Sequence, residues 1–340
     1  MAQGRFGLGK LQLGKESTPG TSVAATTVWR GAGSFIEDQR LVKYVEEMVG
    51  ILGGTNRSYI PELMAAINLS GTELTFQQFV YLLVMSGWCT ASGTQDGTGS
   101  DYIYTATVPT TSTNSMTGKT YTFRGGDDHE AELMEYGFCS EFGLKGAIRE
   151  AAKMSGVVMG RQAAASSFTG ALSLPSVSEA LVQKGKVYLD DADGTFGTTQ
   201  VTSQITGFEL KVKTGVMPQF TMDGTLYFTT VYQADPEITG KLTFLHDSGV
   251  DGASGEKSKW RSETPRLLQL KFEGASVASA GTTYSKETLI VNLPIKWDKF
   301  GALESKDGAT LVTGEFTSKY DETAATSGEF IVVNELSALT

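Results

Sequence analysis

A chain of 340 residues with 40% apolar side chains is long enough for one large or two ordinary domains with real cores, and two is the expectation. The formal net charge of -10 argues against a protein that grips nucleic acid through a general basic surface, because that affinity comes from Lys and Arg displacing phosphate counterions. Forty glycines beside only 19% charged residues exclude a coiled coil, and no residue type indicates collagen or wholesale disorder, so a folded, turn-rich protein is expected.

At the N-terminus, "MAQGRFGLGKLQLG" holds no apolar stretch of signal-peptide length, which places synthesis and assembly in the cytoplasm. "GKESTPGTSV" follows, with no apolar residue before Val23. It reads three ways: a phosphate-cradling loop, a disordered linker, or an arm ordered only against a neighbouring subunit. Further on, "TFQQFVYLLVMSG" predicts a helix, with Thr75 and Gln78 as capping box, Phe76, Phe79, Val80 and Leu83 as apolar stripe and Gly87 as stop. Its apolar run, Phe79 to Met85, is far shorter than a bilayer span, and no membrane segment is expected.

Residues 90–119 are polar and rich in Gly, Ser and Thr, and read as a long inserted surface loop. In "LMEYGFCSEFGL" the alternation puts Met134, Tyr136, Phe138, Phe142 and Leu144 on one face and Glu135, Cys139 and Glu141 on the other. The same period in "TGFELKVKTG" sets Phe208, Leu210 and Val212 against Glu209, Lys211 and Lys213. Long hairpins are expected at about 131–162 and 203–233, with further strands through "GKLTFLHD", "RLLQLKFEG", "ETLIVNLPIKW" and "EFIVVNEL". A second capped helix is expected in "SVSEALVQKG", with Ser176 and Glu179 as capping box. The order strand, capped helix, strand, long hairpin would then occur twice, with a boundary near residue 165.

Residues suited to chemistry are few. His129 and His246 each sit in an acidic, turn-like context, and no GxSxG nucleophile motif accompanies them. "GASGEKS" fails the GxxxxGK[ST] spacing, and "GILGGTNRS" (50–58) reads as a turn. Asp190, Asp191 and Asp193 in "DDADG" lack the further ligands of an EF-hand. The pairs Glu46/Glu47 and Asp127/Asp128, with Glu130, read as solvated acids, and the tryptophans, Trp29, Trp88, Trp260 and Trp297, as core or interface anchors. Cys89 and Cys139, 50 residues apart, read as reduced core thiols. No catalytic residue, metal or cofactor is assigned.

With chemistry unpromising, "GKESTPGTSVAATTVW", "GTNRSYIPELMAAINL", "KTYTFRGGDD", "YGFCSEFGLKG", "VVMGRQ" and "GEFTSKYDETAATSGEFIVVNEL" together resemble a long form of the major tail tube protein of long-tailed, non-contractile bacteriophages. The resemblance implies a mainly β chain of two tandem β-sandwich or barrel domains (1–165 and 166–340), each with a short flanking helix and a long hairpin. Three such chains would close a pseudo-sixfold ring, and rings would stack into a virion tail tube, a negatively lined conduit for DNA. Implied partners are further copies of the chain, a tape measure inside, terminator and distal tail proteins at the ends, and passing genomic DNA. The bore-facing candidates are Glu135, Glu141, Glu150, Glu209 and Asp223. Lys211 and Lys213 share the face of Glu209 and are expected to pair with acids on adjacent hairpins. The N-terminal stretch becomes an arm reaching a neighbouring ring through Gly14, Lys15, Pro19, Thr21 and Val23, with Tyr102 and Tyr104 of the inserted loop as a second contact. Rival readings are another tube-fold component (distal tail, terminator or secretion-system tube), a glycan-binding β-sandwich and, least favoured, an acidic hydrolase.

Overall fold

The computed structural model describes residues 4–31, 35–111 and 115–340. The chain is mainly β, with 49% strand against 7% helix, and every ladder is antiparallel, as the period-2 patterning requires. In order come β1 (Lys10–Lys15), β2 (Thr27–Trp29), β3 (Ile36–Asp38), β4 (Leu41–Tyr44), β5 (Ser58–Glu62), β6 (Ala65–Glu73), α1 (Phe79–Met85), β7 (Thr94–Gln95), β8 (Tyr102–Thr107) and β9 (Tyr121–Gly126). The middle supplies β10 (Ala131–Ala147), β11 (Lys153–Gly160), β12 (Ala163–Ser166), β13 (Gly185–Asp191), β14 (Gln200–Val201), β15 (Ile205–Lys213), β16 (Val216–Gln219), β17 (Thr230–Gln233) and β18 (Glu237–Leu245). Last come α2 (Ser248–Asp251), α3 (Glu256–Arg261), β19 (Arg266–Ser276), β20 (Lys286–Phe300), β21 (Glu304–Lys306), β22 (Ala309–Ser318) and β23 (Glu329–Asn334).

Most of these strands belong to one branched, barrel-like network, and its two longest members each serve two sets of partners in succession. The first half of β10 lies between β9 and β12; the second half lies between β11 and β15. β20 likewise pairs β19 and β23 early and β22 late. The change in β10 happens at bulges, where the register slips between Met134 and Gly137 against β9, with Tyr136 at φ 58°, and between Cys139 and Glu141 against β11. A bulge reverses which side the following residues face. The simple alternation expected for "LMEYGFCSEFGL" is therefore broken: Met134, Cys139, Phe142 and Leu144 enter the main core, whereas Tyr136 and Phe138 join Phe228 and Val216 in a small second cluster.

The first expected hairpin forms as β10–β11. The second is corrected: β15 pairs with β18 at Glu237–Leu245, and residues 214–236 make an excursion holding the separate β16–β17 pair. Thr75 Oγ1 accepts from the Gln78 N–H at 3.2 Å just before α1, and all seven residues of α1 are buried. The helix expected around Ser176 and Glu179 does not form. Ala180 N donates to Leu74 O (2.8 Å) and Ala152 N donates to Ala180 O (2.8 Å), so this segment is an extended strap, ending in a 3-10 turn at Val182–Lys184. Tertiary pairing overrides a capping template with only a short stripe behind it. The helix-based repeat falls with it, and α2 and α3 arise instead to either side of residues 252–255, where Asp247 caps Gly249 N. Strand pairing between β10 and β15 crosses residue 165, and one core cluster draws from Leu11 to Leu339.

Candidate assembly surface

Laid side by side, β6, β11, β10, β15, β18 and β22 form a six-strand ladder that continues onto the last residues of β20. One face is core: Phe142, Leu144, Phe208, Leu210, Val212, Ile238, Leu242, Phe244 and Phe316 are buried. The other face is polar, and cross-strand register sets most of its charges opposite the other sign, although Lys145 stands opposite Lys153 and Lys211 opposite Gly143 and Thr239. Lys145, Glu209, Lys241, Glu315 and Lys299 are successive neighbours on five strands; Glu141, Lys213 and Glu237 repeat the pattern one end along. Opposite charges directly across an antiparallel pair attract, and like charges would repel.

Three ion pairs form within these strands: Lys213–Glu237 at 2.8 Å, Lys241–Glu315 at 3.1 Å and Lys211–Glu209 at 3.4 Å. Hydrogen bonding to Lys213 holds the Glu237 carboxyl below its ordinary range and raises the Lys213 ammonium in return; Lys241 lowers Glu315 in the same way. Three depressions of about 790, 440 and 220 Å³ open onto this face. The surface is furrowed. Its charge is nearly balanced, with Glu73, Glu141, Glu209, Glu237 and Glu315 set against Lys145, Lys153, Lys211, Lys213, Lys241 and Lys299.

Of the five candidate bore residues, the ladder brings together Glu141 and Glu209. The other three lie elsewhere. Glu135 lies in the bulge against β9, half-buried, 3.8 Å from Arg161, with burial raising its carboxyl pKa. Glu150 is exposed in the β10–β11 turn, and Asp223 lies in the 214–236 excursion, accepting from the hydroxyls of Thr221, Thr225 and Thr229 (2.9, 2.8 and 2.6 Å). Those three hydroxyls hold its carboxyl far below the usual range.

The contact candidates are also relocated. Gly14 and Lys15 belong to β1, paired with Thr122 and Tyr121 of β9. Pro19 lies in a turn closed by Thr21 N donating to Thr18 O (3.0 Å), and Val23 N donates to Thr122 Oγ1 (3.0 Å). The stretch is thus ordered on its own chain, through the buried Glu16, and not as a free arm. Tyr104 is buried in β8 with its hydroxyl donating to Leu336 O (2.7 Å), and Tyr102 packs partly buried on the core; much of the expected loop is β8 paired with β23.

The chemistry candidates are engaged in structure. Asp190 accepts from the N–H groups of Gly197, Thr198 and Thr199, and Asp191 pairs with Arg266. Asp127 accepts from His129 N and Glu130 N, His246 lies 3.8 Å from Asp251, and Glu47 pairs with Arg57. Among the described residues no group of three or more His, Cys, Asp and Glu side chains is placed to hold a metal ion. Cys89 and Cys139 are free and buried, and burial pushes the Cys89 thiol up to about 12.

One surface was missed from sequence. The β4–β5 hairpin is a two-stranded sheet of its own, and Leu41, Val42, Tyr44, Met48, Val49, Ile51, Leu52 and Tyr59 on it are exposed. Its apolar tip is interrupted by Gly50, Gly53 and Gly54, so the run reads as a turn. Exposed apolar groups grouped in this way mark contact surfaces.

No protein-family model matches this chain, and neither does any curated protein.

Proposed function

We propose that this chain is a structural protein whose copies close into rings and stack into a hollow tube, the tail tube of a virion, with the charged face of the ladder toward the bore. The supporting observation is the ladder itself: two long hairpins, β10–β11 and β15–β18, lie edge to edge with one face in the core and a furrowed polar face opposite. Beyond Ile67, β6 has β11 as its neighbour and no second strand among the described residues. Such an edge invites pairing, and a ring of copies satisfies it.

The bore in this reading is charge-balanced, which replaces the negative lining expected from sequence. Five of the six Lys are met by a Glu across the ladder and Lys211 pairs with Glu209 on its own strand, so DNA phosphates gain little counterion release and slide past. Tape measure, terminator and distal tail proteins would be the other partners, and assembly would take place in the host cytoplasm. Electron microscopy of the purified chain tests the reading. Long stacks with a central channel are expected; single rings would favour a distal tail or terminator role, and monomers at high concentration would end the proposal.

A further inference from the structure

The two ends of the ladder differ. At one end, where β6 begins and β15 runs out, the β4–β5 hairpin projects beside the 214–236 excursion, tied by Leu63 N donating to Leu226 O (2.9 Å). The hairpin's tip, Met48 to Leu52, is apolar and exposed, and so are Phe220 and Met222 of the excursion. The hairpin and the excursion together, residues 41–62 and 213–237, carry Glu46, Glu47, Glu62, Asp223, Asp235 and Glu237 against Lys43, Arg57 and Lys213. At the other end, past the β10–β11 turn, a groove of about 310 Å³ opens among Ile148, Val182, Val187, Val201, Ile205 and Phe208. Residues 145–153 and 182–187 around it carry Lys145, Arg149, Lys153, Lys184 and Lys186 against the single acid Glu150. About eight residues of β10 separate the ends, roughly 25 Å of strand.

We propose that the tip of the β4–β5 hairpin, led by Ile51 and Leu52, seats in this groove of a second copy of the chain. Three observations select that occupant. The tip is apolar and the groove offers apolar side chains beside Gln183, Lys186, Gln200 and Thr206; the tip's end is net acidic and the groove's end net basic; and the two lie at opposite ends of the ladder. A contact between opposite ends is head-to-tail, and where its operation does not close it propagates without limit. Tip-to-tip pairing would bury the apolar residues but set acid against acid. The inference rests on the stacked-ring reading and gives it a specific joint, while moving the inter-ring contact away from the N-terminal stretch.

The test is cross-linking. Leu52→Cys and Thr202→Cys, on the tip and the groove rim, are made in separate chains; the native thiols are buried. Mild oxidation of the mixture is expected to give the mixed disulfide, and the double variant a ladder of covalent oligomers. Disulfides of Leu52→Cys with itself alone would overturn the docking. So would wild-type stacks with no cross-link, which would leave the tube reading standing; a wild-type chain that stays monomeric would overturn both. As a second measure, Ile51→Asp with Leu52→Asp, on a solvent-facing tip, is expected to keep the melting temperature while stack length falls at least tenfold. Unchanged stack length would count against the joint.

Discussion

Among the described residues two carboxylates, Glu16 and Asp101, are fully buried, in regions that treat them in opposite ways. Glu16, in the connection from β1 to β2, has four donors: Thr122 Oγ1 (2.8 Å) and Tyr136 N (2.9 Å) on one oxygen, Thr120 Oγ1 (2.8 Å) and Gly20 N (2.7 Å) on the other. Asp101, at the mouth of β8, has no donor on either oxygen. Its neighbours Asp96 and Glu335 hold the available groups, Asp96 through the N–H groups of Thr283 and Tyr284, Glu335 through Ala278 N and Ser100 Oγ. Burial, then the charges of Asp96 and Glu335, raises the Asp101 carboxyl. The difference shows what burial of charge requires. Glu16 gathers distant segments because each brings a donor; Asp101 sits where the donors are already spent, and favours its protonated form.

The largest effect is expected at Glu16. Truncation by Glu16→Ala strands several buried donors at once, and the loss should be about 3 kcal/mol or more. Urea unfolding measures it, with protease sensitivity rising at residues 16–23. A loss under roughly 1 kcal/mol would mean that solvent or a neighbouring group replaces the carboxylate, and the contrast with Asp101 would collapse.

At Asp101 the sign reverses. Asp101→Asn removes the charge and offers an amide donor to Asp96, so stability at pH 8 should rise by about 1 kcal/mol. The pH dependence follows from linkage. A carboxyl raised in the folded state binds its proton more tightly there than in the unfolded chain, so its contribution is fully present below the ordinary aspartate range. It is lost as pH rises through the folded value. Wild type should therefore lose melting temperature on passing from acid toward neutral pH by more than Asp101→Asn does. Parallel profiles for the two chains would show that Asp101 is not the group titrating.

How much of this was legible in the sequence depends on how local the cause is. The β10–β11 hairpin and α1 were readable, since the alternation lies within the strands and Thr75 and Gly87 stand close on either side of α1. The strap around Glu179 was not, because the groups that hold Ala180 extended, Leu74 O and Ala152 N, come from far along the chain. The return of the second hairpin was misplaced for a related reason: "TTVYQ" has strand character and does form β17, but β16 captures it before β15 can. Around Glu16 the chain reads as loop, and its donors from Thr120, Thr122 and Tyr136 lie more than 100 residues away. On the ladder face, single strands showed which residues point outward; only register across strands sets Lys213 between Glu141 and Glu237, while Lys211 finds Glu209 on its own strand.

The smallest effect belongs to those rows. Lys213 and Glu237 are both well exposed, so solvent screens their attraction and Lys213→Gln should leave the melting temperature nearly unchanged. Its signature is electrostatic. Glu237 is depressed by the hydrogen bond from Lys213 and then by its charge, so in Lys213→Gln the carboxyl should return toward the ordinary glutamate range, followed by carbon-detected NMR titration. In wild type this group's small contribution is present above that range and is lost as pH falls through the depressed value, the reverse of Asp101. High salt should shrink the difference between the two chains. If Glu237 titrates identically in both, the 2.8 Å pair does not persist in solution, and the balance of the ladder face rests on charge count alone rather than on fixed partners.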